Sequence, residues 1–485
     1  MLEKNRAENI LPGSVLTRFR TLLCALVVIA GLLEFMQGYC GAMVSCGGMT
    51  ALVTLVVVFP ITSKFTRIVA VVLCSTGLAV AAFSQNIKPW QLVGAFGEMS
   101  PLIALLAAVM LLSIALQMGR FADLFNRFYA RARHLYQPYI LSLLISYILC
   151  IFSLMGAVAP SYLLINENLK KLGLKDGIRF GSTGISRGYA MAVIVSPAAA
   201  TVGIALKYSG LTWFQMIGPI FILSLAGLLT AFLVEPSWRD QAARLSFNAA
   251  QEVAATKSQE IEKTQGANGV FWRRLLAFFF LFVGIIGAIS FFGNVLYFSS
   301  LNSIAMGCLL VTFAWGALSG NLQPVFAHTF SFFKNDILGL SDQIVLLTAA
   351  GFLTFTMEHS GKMEWLGHFI MEASGWIGTV GLLSLLPLII SLLALVGLHP
   401  FASSIIFAKA LLLSPLHFSP LALAASLMSG MSMAYVVAPF SGMVLVLVSL
   451  TGKTPYEVGV KWNFSFVLTF LILTSVFIAL ATMHA

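Results

Sequence analysis

The segment from Gly188 to Thr212, GYAMAVIVSPAAATVGIALKYSGLT, is apolar and long enough to cross a membrane, yet Ser196-Pro197-Ala198 breaks it in the middle. A second copy begins at Gly430, GMSMAYVVAPFSGMVLVLVSLTGKT, and a constant offset of 242 aligns the two with eight identities over 25 positions. Gly188 pairs with Gly430, Met191 with Met433, Ala192 with Ala434, Val195 with Val437, Pro197 with Pro439, Val202 with Val444, Gly210 with Gly452 and Thr212 with Thr454. Leu-rich composition alone rarely aligns a proline and both flanking glycines. An interrupted hydrophobic segment at matching positions of two half-repeats is the sequence pointer to a binding site in a secondary transporter.

The chain is 59% hydrophobic and 9% charged over 485 residues, more apolar surface than a soluble fold of this size can bury. It reads as an all-α polytopic membrane protein. In a soluble domain a net charge of +10 suggests nucleic acid; here Lys and Arg act first as topology determinants on the cytoplasmic side, and no nucleic-acid partner is expected. The six cysteines, almost all within apolar runs and without metal-ligand spacing, read as packing residues, and the spacing leaves a Cys40–Cys46 disulfide open. Residues 1–42 form a basic cytoplasmic N-terminus, with Lys4, Arg6, Arg18 and Arg20, and a first membrane helix rather than a removed signal.

About 20 apolar residues cross the hydrocarbon core, and runs of that length place about 11 transmembrane helices. After the first helix come two inverted repeats of five helices, 43–234 and 275–485, joined by a polar cytoplasmic linker, 235–274. Each repeat also holds an uncharged segment, and the first has basic flanks on both sides, Arg127 to Arg133 and Lys170 to Arg179. If it enters and returns, both flanks stay inside, as the Lys/Arg bias prefers. Re-entrant hairpins are therefore expected at about 138–166 and 376–408, with tips at Met155–Ser161 (MGAVAPS) and Gly397–Ser403 (GLHPFAS). An odd number of crossings per repeat inverts the second relative to the first. Only Lys88, Lys207, Lys362 and Lys409 then fall outside, with Arg187 within a span. The expected location is a bacterial inner (plasma) membrane, N-terminus cytoplasmic and C-terminus outside.

A proline removes an amide hydrogen and clashes with the preceding turn, so each break frees carbonyls near mid-membrane. Irregular backbone at that depth is stable only where buried in protein or lining a wet cavity. Half-helix N-termini there attract anions, and exposed carbonyl ends suit a cation. The candidate substrate- and ion-binding residues are Gly156, Ala157, Pro160 and Ser161 at the first tip and Ser196, Pro197, Ala198 and Thr201 at the first break. Gly397, His399, Pro400 and Ser403 at the second tip, with Ala438, Pro439, Phe440 and Ser441 at the second break, complete the set. Each has a plainer reading: a proline as a kink, a hydroxyl bonded to its own helix, His399 as a structural tip residue. Arg187, Glu34 and Glu358 are ionisable groups in or near apolar spans, close enough to span ends to snorkel.

The order in each half, a crossing, a hairpin with a small-residue tip and a helix unwound at a proline motif, resembles the ion transporter superfamily over nearly the whole chain. It is most similar to the divalent anion:sodium symporter type, whose Ser-Asn-Thr tip motifs are absent here. The resemblance implies a homodimer working as an elevator, its hairpins and broken helices moving against a scaffold of the other helices. The expected function is secondary active transport of a small anion, such as an organic acid, coupled to Na+ or H+. Membrane lipid is the surrounding partner, Na+ the candidate coupling ion, and no other cofactor, metal centre or catalytic residue is expected. An Na+/H+ antiporter of the same superfamily is the alternative, and a membrane-embedded lipid-modifying enzyme the distant one.

Overall fold

The computed structural model describes residues 15–33, 41–84, 87–118, 134, 136–171, 177–197, 199–235, 276, 280, 283–360, 363–396, 398–439 and 441–483. The expected linker 235–274 lies, beyond Glu235, outside these residues. All described elements are helical. In the first half they are α1 (Val15–Leu32), α2 (Gly41–Val58), α3 (Lys64–Ala82), short α4 (Pro89–Ala95), α5 (Ser100–Met118), α6 (Tyr136–Ser153), α7 (Val158–Lys171), α8 (Gly177–Val195), α9 (Ala200–Ser209) and α10 (Trp213–Val234). In the second they are α11 (Val283–Gly293), α12 (Ser300–Leu318), α13 (Leu322–Ser331), α14 (Ser341–His359), α15 (Met363–Val396), α16 (Pro400–Leu413), α17 (Pro420–Val437), α18 (Gly442–Thr451) and α19 (Trp462–Met483).

Nine helical stretches among the described residues are long and apolar enough to span a membrane, and the chain is an integral membrane protein. One of the nine, Ile370–Val396, belongs to the second hairpin; the shorter apolar helices Cys46–Ile61, Thr66–Ala82 and Val283–Gly293 lie within runs that the sequence expects to cross. The first broken helix, Gly177–Ser209, is buried on all sides, while α10 and α19 keep one apolar face outward. A helix apolar all round belongs in the centre of the bundle. Cys24, Cys150 and Cys308 pack in the interior and Cys46 is a free, exposed thiol; Cys40 lies outside the described residues.

The repeat identities have local causes. Helix α8 ends at Val195 and α9 starts at Ala200; α17 ends at Val437 and α18 starts at Gly442, so both breaks fall at the same offset. Gly210 and Gly452 terminate α9 and α18 in left-handed conformations, φ 70° and 69°, which glycine adopts without a Cβ penalty. Thr212 and Thr454 each start a capping box: the Thr212 hydroxyl accepts the Gln215 N–H and the Gln215 side chain accepts the Thr212 N–H, and Thr454 and Glu457 do the same. Gly188 and Gly430 face the hairpin arms. A Cβ on Gly188 would stand 2.5 Å from the Leu143 carbonyl oxygen, and one on Gly430 2.9 Å from Pro387 Cα.

The hairpins form, with narrower tips than expected. Only Leu154–Ala157 interrupts the helix between α6 and α7, so Pro160 and Ser161 already lie in the first turn of α7. Pro400 and Ser403 likewise lie in the first turn of α16. Proline is accommodated there because first-turn amides have no intrahelical acceptor. The left-handed residue at the first tip is Leu154, φ 43°, rather than glycine. In α15 the chain breaks at Gly378, φ 73°, where the second hairpin begins.

Contacts at the two ends fix how the hairpins run. At the base of hairpin 1, the Tyr139 hydroxyl accepts from Arg187 in α8; at the base of hairpin 2, Lys409 meets Glu98, which also holds Lys207 in α9. Arg187 and Lys207 stand on opposite halves of one broken helix, on the order of 30 Å apart at helical rise. The hairpin bases therefore meet the broken helix on opposite sides of its break, and α6 reaches only to the break, where the Ser196 hydroxyl donates to the Ile151 carbonyl. The Ser432 hydroxyl donates to the carbonyl of its repeat-mate Ala190 at 2.6 Å, which puts the pseudo-twofold axis where α8 crosses α17.

Replacing Gly188 or Gly430 by Ala is expected to destabilise the fold by about 1–3 kcal/mol, because a backbone or ring carbon must move to admit the methyl group. The unfolding midpoint in detergent checks it, with Gly218→Ala, where a methyl group meets nothing, as control; an unchanged midpoint would show that the hairpin arms do not need the close approach.

Candidate functional site

Pro197 has no N–H, which leaves the carbonyl of Val193, four residues earlier, without its helical donor. The Thr201 hydroxyl supplies one, reaching back across the break to Val193 O at 2.9 Å. Pro439 orphans Tyr435 O in the same way, and the Ser441 hydroxyl closes it at 2.6 Å. Two different residues, four and two positions after the proline, thus perform one task in the two repeats. A hydroxyl that donates its proton to a carbonyl keeps its lone pairs, so both remain oxygen acceptors or cation ligands.

Beyond each break a new helix starts without a side-chain cap. Ala199 and Ser441 hold the N-cap positions of α9 and α18, and neither side chain bonds into its helix. The first amides of both half-helices therefore present their dipole ends toward the interior. The hairpins meet them crosswise: α7 packs on α18 and α16 on α9, so each repeat's second hairpin arm touches the other repeat's second half-helix.

The remaining expected residues fall around this crossing. Ala157 is buried in the first tip beside Gly156, Pro160 is exposed, and Ser161 is fully buried with no hydrogen-bond partner for its hydroxyl among the described residues. At the second tip His399 is the N-cap of α16: its Nδ1 accepts the Phe401 N–H at 3.2 Å, and its ring lies 4.7 Å from that of Phe401. Pro400 is buried at the start of α16 and the Ser403 hydroxyl donates back to Pro400 O. Tyr435, just before the second break, sets its ring edge-on against Tyr189 of α8 and Phe401 of the tip. Pro197 and Ala438 are buried and Pro439 half-buried. Ala198, Gly397 and Phe440 lie outside the described residues.

Charge sits at the two ends of the crossing. Arg187 does not snorkel: its side chain is 1% exposed, pairs with Glu235 at 2.8 Å and donates to Tyr139, Asn463 and the carbonyls of Ala231 and Trp462. It pins hairpin 1 and α8 to α10 and α19. At the other end Lys409 pairs with Glu358 at 2.7 Å and approaches Glu98, which also holds Lys207. Reading the lysines as topology charges misses this cluster. The available signal is Lys409 itself, the charge that ends a long uncharged segment and so requires a partner.

No protein-family model matches the chain, and no curated protein matches it in sequence. Among solved structures it is similar to the YdaH transporter of Alcanivorax borkumensis, with a TM-score of 0.55 and 14% identity over 86% of this chain and 98% of that one. It also matches MtrF of Neisseria gonorrhoeae, described as one of a class of antimetabolite efflux pumps, with a TM-score of 0.47 and 14% identity over 85% and 94%. At this identity the first likeness establishes a shared fold: this chain has the helical fold of a structure known as a transporter.

Thr201→Val, which keeps shape and removes the donor, is expected to cost about 1–3 kcal/mol by leaving Val193 O unpaired; Thr201→Ser restores it. An unfolding midpoint in detergent that stays put for Val would mean the carbonyl has another partner. Arg187→Met should cost about 3–5 kcal/mol by stranding Glu235, and Arg187→Met with Glu235→Gln less than the sum of the singles. Additive effects would disprove the pairing.

Proposed function

We propose that the chain is a secondary active transporter of the ion transporter superfamily type, moving a small anion, an organic acid by preference, coupled to Na+ or H+. The observation that carries this reading is the pair of proline breaks. Each is closed by a hydroxyl on its orphaned carbonyl, each opens onto an uncapped half-helix, and each is met by a hairpin arm of the other repeat. Opposed half-helix N-termini attract an anion without committing a buried cation, while hydroxyl and carbonyl oxygens suit Na+. The fold shared with a solved transporter supports the same class.

In this reading the hairpins, α8, α9, α17 and α18, with α10 and α19 that Arg187 pins to them, move together against the other helices as an elevator, within a homodimer in a bacterial inner membrane. The two hairpins serve as gates on opposite sides, a role supported by their bases meeting the first broken helix before and beyond its break. The Na+/H+ antiporter alternative asks for a free carboxylate at the breaks. Glu235, the one fully buried carboxylate among the described residues, is engaged by Arg187 in the middle of α8, about two turns before the break.

Proteoliposomes loaded with labelled organic anions, tested under imposed Na+ or pH gradients in both directions, are expected to show gradient-dependent flux. Pro197→Ala and Pro439→Ala, singly and together, should lower it about tenfold or more, by the scale on which displaced site groups act. Flux indifferent to both gradients would sink the coupling, and unchanged flux in all three variants would reduce the breaks to kinks.

A further inference from the structure

The Lys409 cluster joins elements that the proposed cycle separates. Lys409 sits near the end of α16, the second arm of hairpin 2, and Lys207 near the end of α9, beyond the first break. Their partners belong to the other set of helices: Glu358 ends α14 and Glu98 precedes α5. Both lysines reach one oxygen of Glu98, at 3.2 Å from Lys207 and 3.8 Å from Lys409, and Lys409 bonds Glu358 at 2.7 Å. Lys207 also reaches the Glu98 carbonyl at 3.3 Å. The bonds thus cross the boundary between moving and static parts.

The surface beneath the cluster is not sealed. A small cleft lies between α9 and its neighbours α5 and α12, lined by Met99, Leu102, Ile204, Tyr208 and Leu301. The Tyr208 hydroxyl is buried there with no hydrogen-bond partner among the described residues. By contrast the Arg187 cluster is 1% exposed or less and bonds α8 and hairpin 1 to α10 and α19, so those two helices travel with the broken helices and its bonds stay closed. The Lys409 cluster is partly exposed, with Glu358 at 43% and Glu98 at 31%, so its bonds can exchange for water when the parts separate. At the other boundary of hairpin 2, Gly378 breaks the helix at φ 73°, a conformation that favours glycine.

We propose that Lys207 and Lys409, held by Glu98 and Glu358, are a latch that docks hairpin 2 and α9 against α5 and α14 in this conformation of the protein, and that the latch opens in each transport cycle. This rests on the reading that hairpins and broken helices move against the other helices. The latch sets how the two states are populated; it neither binds the cargo nor drives its movement. Since a ligand or contact shifts a two-state equilibrium only by its difference between the states, removing bonds present in one state alone lowers that state's share.

The test uses spin labels at Leu413, exposed at the end of α16, and Phe83, exposed at the end of α3 which packs on α14. The full chain, with native cysteines replaced, is reconstituted in liposomes, and the distance distribution is read by pulsed electron resonance. Wild type is expected to give two populations whose ratio responds to an Na+ or pH gradient. Lys409→Met and Glu358→Gln should each raise the undocked share about two- to fivefold, the factor that partly exposed ion pairs carry; Lys409→Arg should not. If wild type shows two populations and neither variant shifts them, the latch is wrong and the moving hairpin stands. If a single population persists in every variant and under every gradient, the moving hairpin is wrong and the latch falls with it. A shift for Lys409→Arg equal to that for Lys409→Met would also overturn the latch, because the charge would then not be what docks the hairpin.

Discussion

Inside a membrane every backbone N–H and C=O needs a partner from the protein, because the hydrocarbon offers none. This chain interrupts two of its most deeply buried helices with proline, and the rest of the structure answers that demand. Thr201 and Ser441 donate to the two carbonyls that the prolines orphan. Ser196 ties the first break to the tip of hairpin 1 through the Ile151 carbonyl. Each hairpin arm lies against its broken helix along a glycine, at Gly188 and Gly430, since a larger residue would hold the arm away and open the break to lipid.

The same constraint explains where the charges are. With 9% of residues charged, the described residues hold the Arg187–Glu235 pair on α8 before the first break and the Lys409 cluster beyond it. Arg20 is buried separately on the Val57 carbonyl, and the crossing itself is neutral. The Arg187–Glu235 pair is sealed and multiply bonded, and such a pair holds its neighbours in one arrangement because losing any partner strands a charge. The Lys409 cluster reaches the surface and is correspondingly weaker. One cluster is sealed and the other reaches the surface, while the neutral crossing leaves half-helix dipoles and hydroxyl oxygens as its main polar features.

The hairpin tips show how far local chemistry carries. Gly156 and Gly397 are the turning points that composition suggests, yet the left-handed residue at the first tip is Leu154, and both tip prolines fold into the first helical turn that follows. Composition locates a turn, but which residue takes the unusual dihedral is decided by how the two arms pack. His399 likewise turns its Nδ1 to its own helix start, the plainer of its two readings.

The sequence by itself determined the membrane class, the order of crossings and hairpins, and the register of the repeat. Those follow from hydropathy, the Lys/Arg bias and the 242-residue offset, all local or additive along the chain. It also placed the breaks to the residue, since proline acts on the turn that contains it. Only the tertiary structure decided which hydroxyl closes each break, because Thr201 and Ser441 do this from different offsets and no shared motif marks them. The same holds for the ion pairs. Glu98, Lys207, Glu358 and Lys409 are 311 positions apart from first to last in the chain, and only the crossing of helices from both repeats brings them within bonding distance.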